Sequence, residues 1–373
     1  MSKPARYISR LRLTDFRSYE SAALDIEAAN VVLTGANGAG KTNLIEAVSL
    51  LSPGRGLRGV AFENLARIGA PGPWAVASTL QTPGGEVDLG TGANPGKSGR
   101  RVRINGANAT AVEDLAGFVR LLWLTPAMDG LFTGAAGDRR RFLDRLVMTL
   151  IPDHALSVSG FEKSMRQRNR LLEDNADPDW IGAVEVQMAD FAAAMHFARA
   201  DSLAHLQQLA SLGVSSAFPT ANLALDPVFA DGRGEFNSSS ALEFALMEHW
   251  RQNRGLDRAA KRTLVGPHRV DMQVTHLQKS MPAKLCSTGE QKALLIGLIL
   301  AHARLVSNMT GITPVLLLDE VAAHLDPDRR IALFDALADL QTQVWMTGTD
   351  PMLFEGLEGD MLKVRVEEGR LLV

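Results

Sequence analysis

Two periods of apolar residues divide this chain. Ile8-Ser9-Arg10-Leu11-Arg12-Leu13 alternates with a period of two and predicts a half-buried strand. Val31-Val32-Leu33 is a fully apolar run, and Arg101-Val102-Arg103-Ile104 before Asn105-Gly106 predicts a hairpin closed by a type I′ turn. From about Arg139 the spacing lengthens to three and four. Arg140–Val147, Phe161–Leu172 and Trp180–Leu212 predict helices, the last with apolar positions at Val184, Met188, Phe191, Met195 and Ala198. Asp177-Pro178 and Phe218-Pro219-Thr220 break the run. An extended segment over 222–229 and a Gly-Arg-Gly loop at 232–234 precede a last helix, Ser239–Arg254, which Gly255 is placed to interrupt. Strand patterning returns after Gly266-Pro267. Val315-Leu316-Leu317-Leu318 has the unbroken apolar character of a central parallel strand, and Gln343–Met346 follows one helix later. The pattern predicts one α/β domain, residues 1–138 and 263–373, interrupted by a mostly helical insertion at 139–262.

The 373 residues suffice for two or three domains with a sizeable core. A single cysteine, Cys286, excludes an internal disulfide and fits a reducing compartment. The N-terminal residues lack the apolar centre of a signal peptide. The apolar stretch Ala293–Ala301 is too short to span a bilayer and reads as a buried helix, so a cytoplasmic protein without membrane contact is expected. The net charge of −3 is not the signature of a nucleic-acid partner, but its distribution is uneven. Twelve acidic residues against Arg199 and Arg233 lie between Glu173 and Glu248, so the remainder is basic and is where a polyanion would settle.

The chemistry is clearest at Gly35-Ala36-Asn37-Gly38-Ala39-Gly40-Lys41-Thr42, which fills the phosphate-loop template G-x-x-x-x-G-K-[ST] between a predicted strand and a predicted helix. Glycines let backbone N–H groups turn inward, and the helix N-terminus adds partial positive charge. Lys41 is placed for the β- and γ-phosphates of ATP and Thr42 for Mg²⁺. The strand Leu316–Leu318 ends in Asp319-Glu320, where the first acid holds Mg²⁺ and the second polarises the attacking water. Lys41, Asp319 and Glu320 are therefore the catalytic candidates, Thr42 and Asp319 the metal candidates. Ser287-Thr288-Gly289-Glu290-Gln291 fits a helix capping box, and the same geometry binds phosphate oxygens.

Phosphate loop, S-x-G-x-Q and apolar strand–Asp-Glu, in that order, are similar to ABC-type ATPases, in which the serine–glycine element completes the site of the opposite subunit. Asp326, in Ala323-His324-Leu325-Asp326, resembles the loop that crosses such a dimer interface. Thr349 stands where many of these proteins carry a switch histidine. The chain further resembles the bacterial RecF family of DNA replication and recombinational-repair proteins, relatives of SMC-type ATPases. The resemblance rests on Leu13-Thr14-Asp15-Phe16-Arg17-Ser18-Tyr19, Arg139-Arg140-Arg141-Phe142-Leu143-Asp144, Gln167-Arg168-Asn169-Arg170-Leu171-Leu172, Gly266-Pro267-His268-Arg269 and Ser287–Lys292. Thr125-Pro126-Ala127-Met128-Asp129 departs from the family's Pro-Glu-Asp. The resemblance implies an ABC-type head, an ATP-dependent homodimer, binding of single- and double-stranded DNA at gaps, recombination mediator partners and slow hydrolysis used as a switch. The alternative is the ATPase subunit of a membrane transporter. A small-molecule phosphoryl-transfer enzyme would leave Ser287–Gln291 without a role.

For DNA, the candidates are Arg139 and Arg140, and a stripe of Arg251, Arg254, Arg258, Lys261 and Arg262 at helical spacing. Arg100, Arg101 and Arg103 form a further basic cluster. Contacts of this kind grip the backbone and read no sequence.

Overall fold

The structure, a computed structural model, describes residues 4–94, 99–211, 218–232, 236–357 and 359–373. Leu212 and the expected 232–234 loop beyond Gly232 lie outside the described residues. Tyr7–Phe16 (β1) and Tyr19–Asp25 (β2) form a hairpin, and Asn30–Thr34 (β3) leads to the helix Lys41–Ser49 (α1). Trp74–Thr82 (β4), Gly85–Ala93 (β5), Arg101–Ile104 (β6) and Ala107–Asn108 (β7) make a meander before Leu121–Leu124 (β8). Helices Ala136–Leu150 (α2), His154–Glu173 (α3) and Pro178–Ser211 (α4) precede Ala221–Leu225 (β9), Ser239–Gln252 (α5) and Arg254–Ala259 (α6). Met272–His276 (β10) and Met281–Pro282 (β11) lead to Thr288–Thr310 (α7), and then to Val315–Leu318 (β12), Pro327–Leu340 (α8), Val344–Gly348 (β13), Met361–Glu367 (β14) and Arg370–Leu372 (β15).

These elements gather into two compact units, residues 1–129, 213–220 and 287–373, and residues 130–212 and 221–286. The inserted unit is thus wider than the change in apolar period suggests, because β10 and β11 pair with β9 rather than with the head sheets.

In the first unit the described residues form an antiparallel sheet in the order β2-β1-β4-β5-β6-β7 and a mixed sheet in the order β15-β14-β3-β13-β12-β8. Every pairing in the second sheet is parallel except β14–β15. The Asn105-Gly106 turn has φ of 50° and 80°, the left-handed pair that a type I′ hairpin demands. Gln343, fully buried, stitches the two sheets together. Its Oε1 accepts from the Ile8 N–H at 2.9 Å and its Nε2 donates to the Ile8 carbonyl at 3.0 Å. The apolar segment at 293–301 sits inside a 23-residue helix, α7, long and apolar enough to cross a membrane, whose most apolar window is 61 % buried against the head.

The second unit is built on α3, α4 and α5, around Phe161, Met188, Ala192, Leu242, Leu246 and Trp250. Gly160 lets Phe191 lie on α3, since a Cβ there would stand 2.5 Å from its ring. The basic stripe is broken at Asn253 (φ −106°, ψ 14°) rather than at Gly255, which puts Arg251 on α5 and Arg254 and Arg258 on α6.

Two buried ionic networks hold these helices. Arg168, with no exposed surface, donates to Glu185 (2.9 Å), Asp257 (2.7 Å), Thr263 (3.0 Å) and the Trp250 carbonyl (3.1 Å). Asp144 accepts both arms of Arg199 at 2.7 and 2.8 Å and lies 2.7 Å from His154 Nε2, while Arg199 also donates to the Pro267 carbonyl. The Arg199 and His154 contacts hold the Asp144 carboxyl below the usual carboxylate range despite its burial, the largest opposing effect. Burial pushes His268 down to about 4, so its ring is neutral where Nε2 meets the Thr263 carbonyl at 3.0 Å. The runs R-R-x-F-L-D, Q-R-N-x-L-L and G-P-H-R therefore meet as scaffold. Breaking a buried pair strands a charge and costs about 3–5 kcal/mol. Arg168→Met, which keeps the volume but abandons Glu185 and Asp257, is expected to lower the unfolding free energy by that amount in urea titrations followed by far-UV circular dichroism.

Candidate functional site

The loop between β3 and α1 is shaped by its glycines. Gly35 has φ 143°, and a Cβ there would stand 2.3 Å from the Val366 carbonyl oxygen. Gly40 has φ 116° and precedes α1 with no side chain capping the helix, and the first turn carries no acid. Uncapped N–H groups and a left-handed entry are what an anion needs. Tyr19, wholly buried, braces the loop through a 3.0 Å hydrogen bond from its hydroxyl to the Gly40 carbonyl. From the other side Gly369 N–H donates to the Ala39 carbonyl at 3.1 Å. Lys41 is 4 % exposed, and its Nζ donates to the carbonyls of Gly35 (2.7 Å) and Ala36 (3.0 Å), which suspends the ammonium across the loop.

Sheet order brings the remaining chemistry to this end. β13 lies between β3 and β12, so its C-terminal residues stand between the phosphate loop and the Asp319-Glu320 pair. Thr42 Oγ1 donates to the Asp319 carboxylate, 3.0 and 3.1 Å from its two oxygens. Thr347 Oγ1 donates to Asp319 Oδ1 at 2.7 Å and accepts the Glu320 N–H at 2.9 Å. That bond holds Glu320 in the left-handed region, φ 52°. Burial raises the Asp319 carboxyl above its usual range, and the two hydroxyls and Arg58 pull the other way. Thr42 and Asp319 are hard oxygen donors suited to Mg²⁺, which takes one or two carboxylates and completes its shell from phosphates and water. No denser cluster of metal-ligating side chains occurs among the described residues.

Thr347 was not among the sequence candidates. The signal was present but faint, since a polar residue follows the apolar Val344–Met346 run one register position past the Leu318–Met346 pair. Thr349, the candidate substitute for a switch histidine, lines a cleft of about 960 Å³ together with Gly35–Ala39, Arg365 and Arg370. Glu46, buried one turn beyond Thr42, anchors Arg17 (2.8 Å) and Arg58 (2.8 Å).

Ser287 caps α7 as the capping-box reading requires. Its N–H donates to Glu290 Oε2 at 2.9 Å, and its Oγ accepts from the Glu290 N–H at 3.4 Å. Thr288, Gly289 and Gln291 form the first turn that follows. Asp326 caps α8. Asp129 pairs with Lys292 at 3.3 Å.

Among the DNA candidates the structure separates engaged from exposed cations. Arg139 is spent on Asp271 (2.6 Å) and on the carbonyls of Leu131, Phe132 and Gly134, and Arg254 on buried Glu185 (2.6 Å). Both work inside the fold, Arg254 apart from the exposed members of its stripe and Arg139 apart from Arg140. Arg140 is partly buried, and burial lowers its pKa. Arg251 is exposed beside Glu248, while Arg258, Lys261 and Arg262 are exposed. Arg100 also serves the fold, donating to the Leu50 and Ser52 carbonyls after α1.

Two sheets, a phosphate loop and an acid pair at the end of a neighbouring strand define an ABC-type ATPase head interrupted by a second unit. The family model described as RecF/RecN/SMC N terminal domain matches residues 7–370. The DNA replication and repair protein RecF of Rhizobium leguminosarum bv. trifolii is 52 % identical over 370 residues, 98 % of each chain, and that of Rhizobium meliloti is 49 % identical over 369 residues, again 98 % of each. In fold, the chain is similar to the recombination mediator protein RecF with a bound ATP analogue, at TM-score 0.85 and 22 % identity over 99 % of this chain and 98 % of that one. The chain belongs to the RecF/RecN/SMC family, within its RecF branch of DNA replication and repair proteins. The transporter-subunit reading gains no support from these likenesses.

Thr347→Val keeps the shape and deletes the hydroxyl that joins Asp319 to the Glu320 backbone. Loss of a buried hydrogen-bond partner costs about 1–3 kcal/mol, and differential scanning calorimetry is expected to register a lower Tm with a loss of that order.

Proposed function

We propose that this chain is an ATP-gated DNA clamp whose two nucleotide sites form only between two copies. ATP lies in Gly35–Thr42, with Lys41 against the β- and γ-phosphates. Thr42 and Asp319 hold Mg²⁺, which neutralises charge on the phosphate oxygens when bound. Glu320 polarises the attacking water. Ser287, Thr288, Gly289, Glu290 and Gln291 of the other copy seal the pocket, with Asp326 and Thr349 at the seam. The observation that carries this reading is the Thr42–Asp319–Thr347–Glu320 chain of hydrogen bonds beside an uncapped, glycine-shaped helix start.

Single- or double-stranded DNA at gaps is gripped through its phosphates by Arg258, Lys261 and Arg262, with Arg251 and Arg140 as further contacts. Mediator proteins of recombination are partners, in keeping with the RecFOR pathway to which the similar solved protein belongs. Hydrolysis is slow and opens the clamp. The protein acts in the cytoplasm.

Glu320→Gln is expected to bind ATP normally, to lose turnover by about 10²–10⁴-fold, and to accumulate as an ATP-dependent dimer on gapped DNA in sedimentation runs. A variant that stays monomeric with ATP contradicts the clamp. In fluorescence anisotropy, Arg258→Glu with Lys261→Glu and Arg262→Glu should weaken DNA binding with ATP affinity intact. The slope of log affinity against log salt should flatten by about one for each phosphate that the variant no longer neutralises. Undiminished DNA affinity would remove these three residues from the interface.

A further inference from the structure

Helices α7 and α8 begin side by side in the head, and one side chain joins their first turns. The Arg329 N–H donates to Asp326 Oδ1 at 2.8 Å, closing the cap of α8. Its Nε stands 3.5 Å from Asp326 Oδ2, and its Nη1 donates to the Gly289 carbonyl at 3.3 Å. A guanidinium presents its donors in one rigid plane, so a single group spans a carboxylate on one helix and a carbonyl on the other. An ammonium offers one point of charge and cannot reproduce that fork.

The start of α7 has a second tether on its other side. Lys292, 9 % exposed, pairs with Asp129 at 3.3 Å, and Asp129 follows β8. The last residue of β8, Leu124, receives the Asp319 N–H on its carbonyl at 2.8 Å. The Gly289 turn is therefore held by a hydrogen bond from the Arg329 guanidinium and, three residues on, by the Lys292–Asp129 ion pair. Asp129 finds its role in this pair.

We infer that Arg329 is a positioning residue that locks the Ser287–Gln291 turn to the Asp326 turn, so that the surface one copy lends to the other arrives as a single rigid piece. This rests on the two-copy pocket proposed above. Arg329 acts through Gly289 and Asp326 and leaves the nucleotide cradle of its own chain alone. Preorganising both turns removes an ordering cost from association, so its loss is felt when the dimer forms.

The test uses the full chain carrying Glu320→Gln, with ATP as the probe. Arg329→Ala should leave the nucleotide affinity of the monomer unchanged, measured with a fluorescent ATP analogue, and weaken the dimer by about tenfold in sedimentation equilibrium, the scale of one charged hydrogen bond. Arg329→Lys should fall near the alanine variant, because charge without the fork does not rescue. Mixed dimers separate this role from damage within the same chain. Chains with Lys41→Ala mixed with chains bearing Arg329→Ala leave one pocket with a sound cradle and a sound seal, and should trap nucleotide. Heterodimers of a native chain with a Lys41→Ala/Arg329→Ala chain, isolated through a different affinity tag on each chain, leave no whole pocket and should release it. Equal trapping in both mixtures overturns the inference, as does a dimer of undiminished affinity in the alanine variant. If Glu320→Gln alone fails to dimerise with ATP, the two-copy reading itself falls and takes this inference with it.

Discussion

The head turns on one buried carboxylate. Asp319 sits at the end of a central strand where burial opposes its charge, and hydroxyls from two neighbouring elements, Thr42 and Thr347, compensate by donating to it. An unpaired buried charge would be costly, so α1, β12 and β13 must keep their relative places for the head to be stable. The same demand leaves Asp319 wanting a cation and sets the Thr42 hydroxyl beside it. Stability and the proposed nucleotide chemistry thus draw on one arrangement. The Thr347 hydroxyl holds the Glu320 N–H, and the Glu320 backbone lies in the left-handed region.

The inserted unit solves a different problem. An alanine-rich helix of 34 residues packs closely, with Ala189, Ala192 and Ala193 wholly buried. Two buried arginines hold it in place, Arg168 through Glu185 and Asp257, and Arg199 through Asp144 and Pro267. Directional bonds between charged groups tolerate little sliding, whereas alanine faces tolerate much. Arg139, Asp144, Arg168 and Pro267, members of the family-defining runs in this part of the chain, all serve that scaffold.

What was legible in the residues followed their range of action. The phosphate loop, the apolar strands β12 and β13, the Asn105-Gly106 hairpin and the Ser287–Glu290 cap depend on neighbours within a few positions, and all took the expected form. The fates of Arg139 and Arg254 were hidden because their partners lie 132 and 69 residues away. Spacing marks a helix face as basic without revealing an acid on another helix that neutralises it. Thr347 escaped notice for the same reason, since its meaning arises only when β13 is placed between β3 and β12. The break at Asn253 rather than Gly255 is a short-range matter, set by the cap of one helix serving as the entry to the next.

The central claim is that nucleotide held by one copy is covered by the helix start of another. Its most direct test is a distance between chains. With Cys286 replaced by serine, Asn37→Cys chains are mixed with Thr288→Cys chains and treated with a short bifunctional thiol reagent. The account predicts a cross-linked dimer that forms with ATP and is absent without it. A yield indifferent to ATP, or no cross-link between copies at saturating nucleotide, would contradict it.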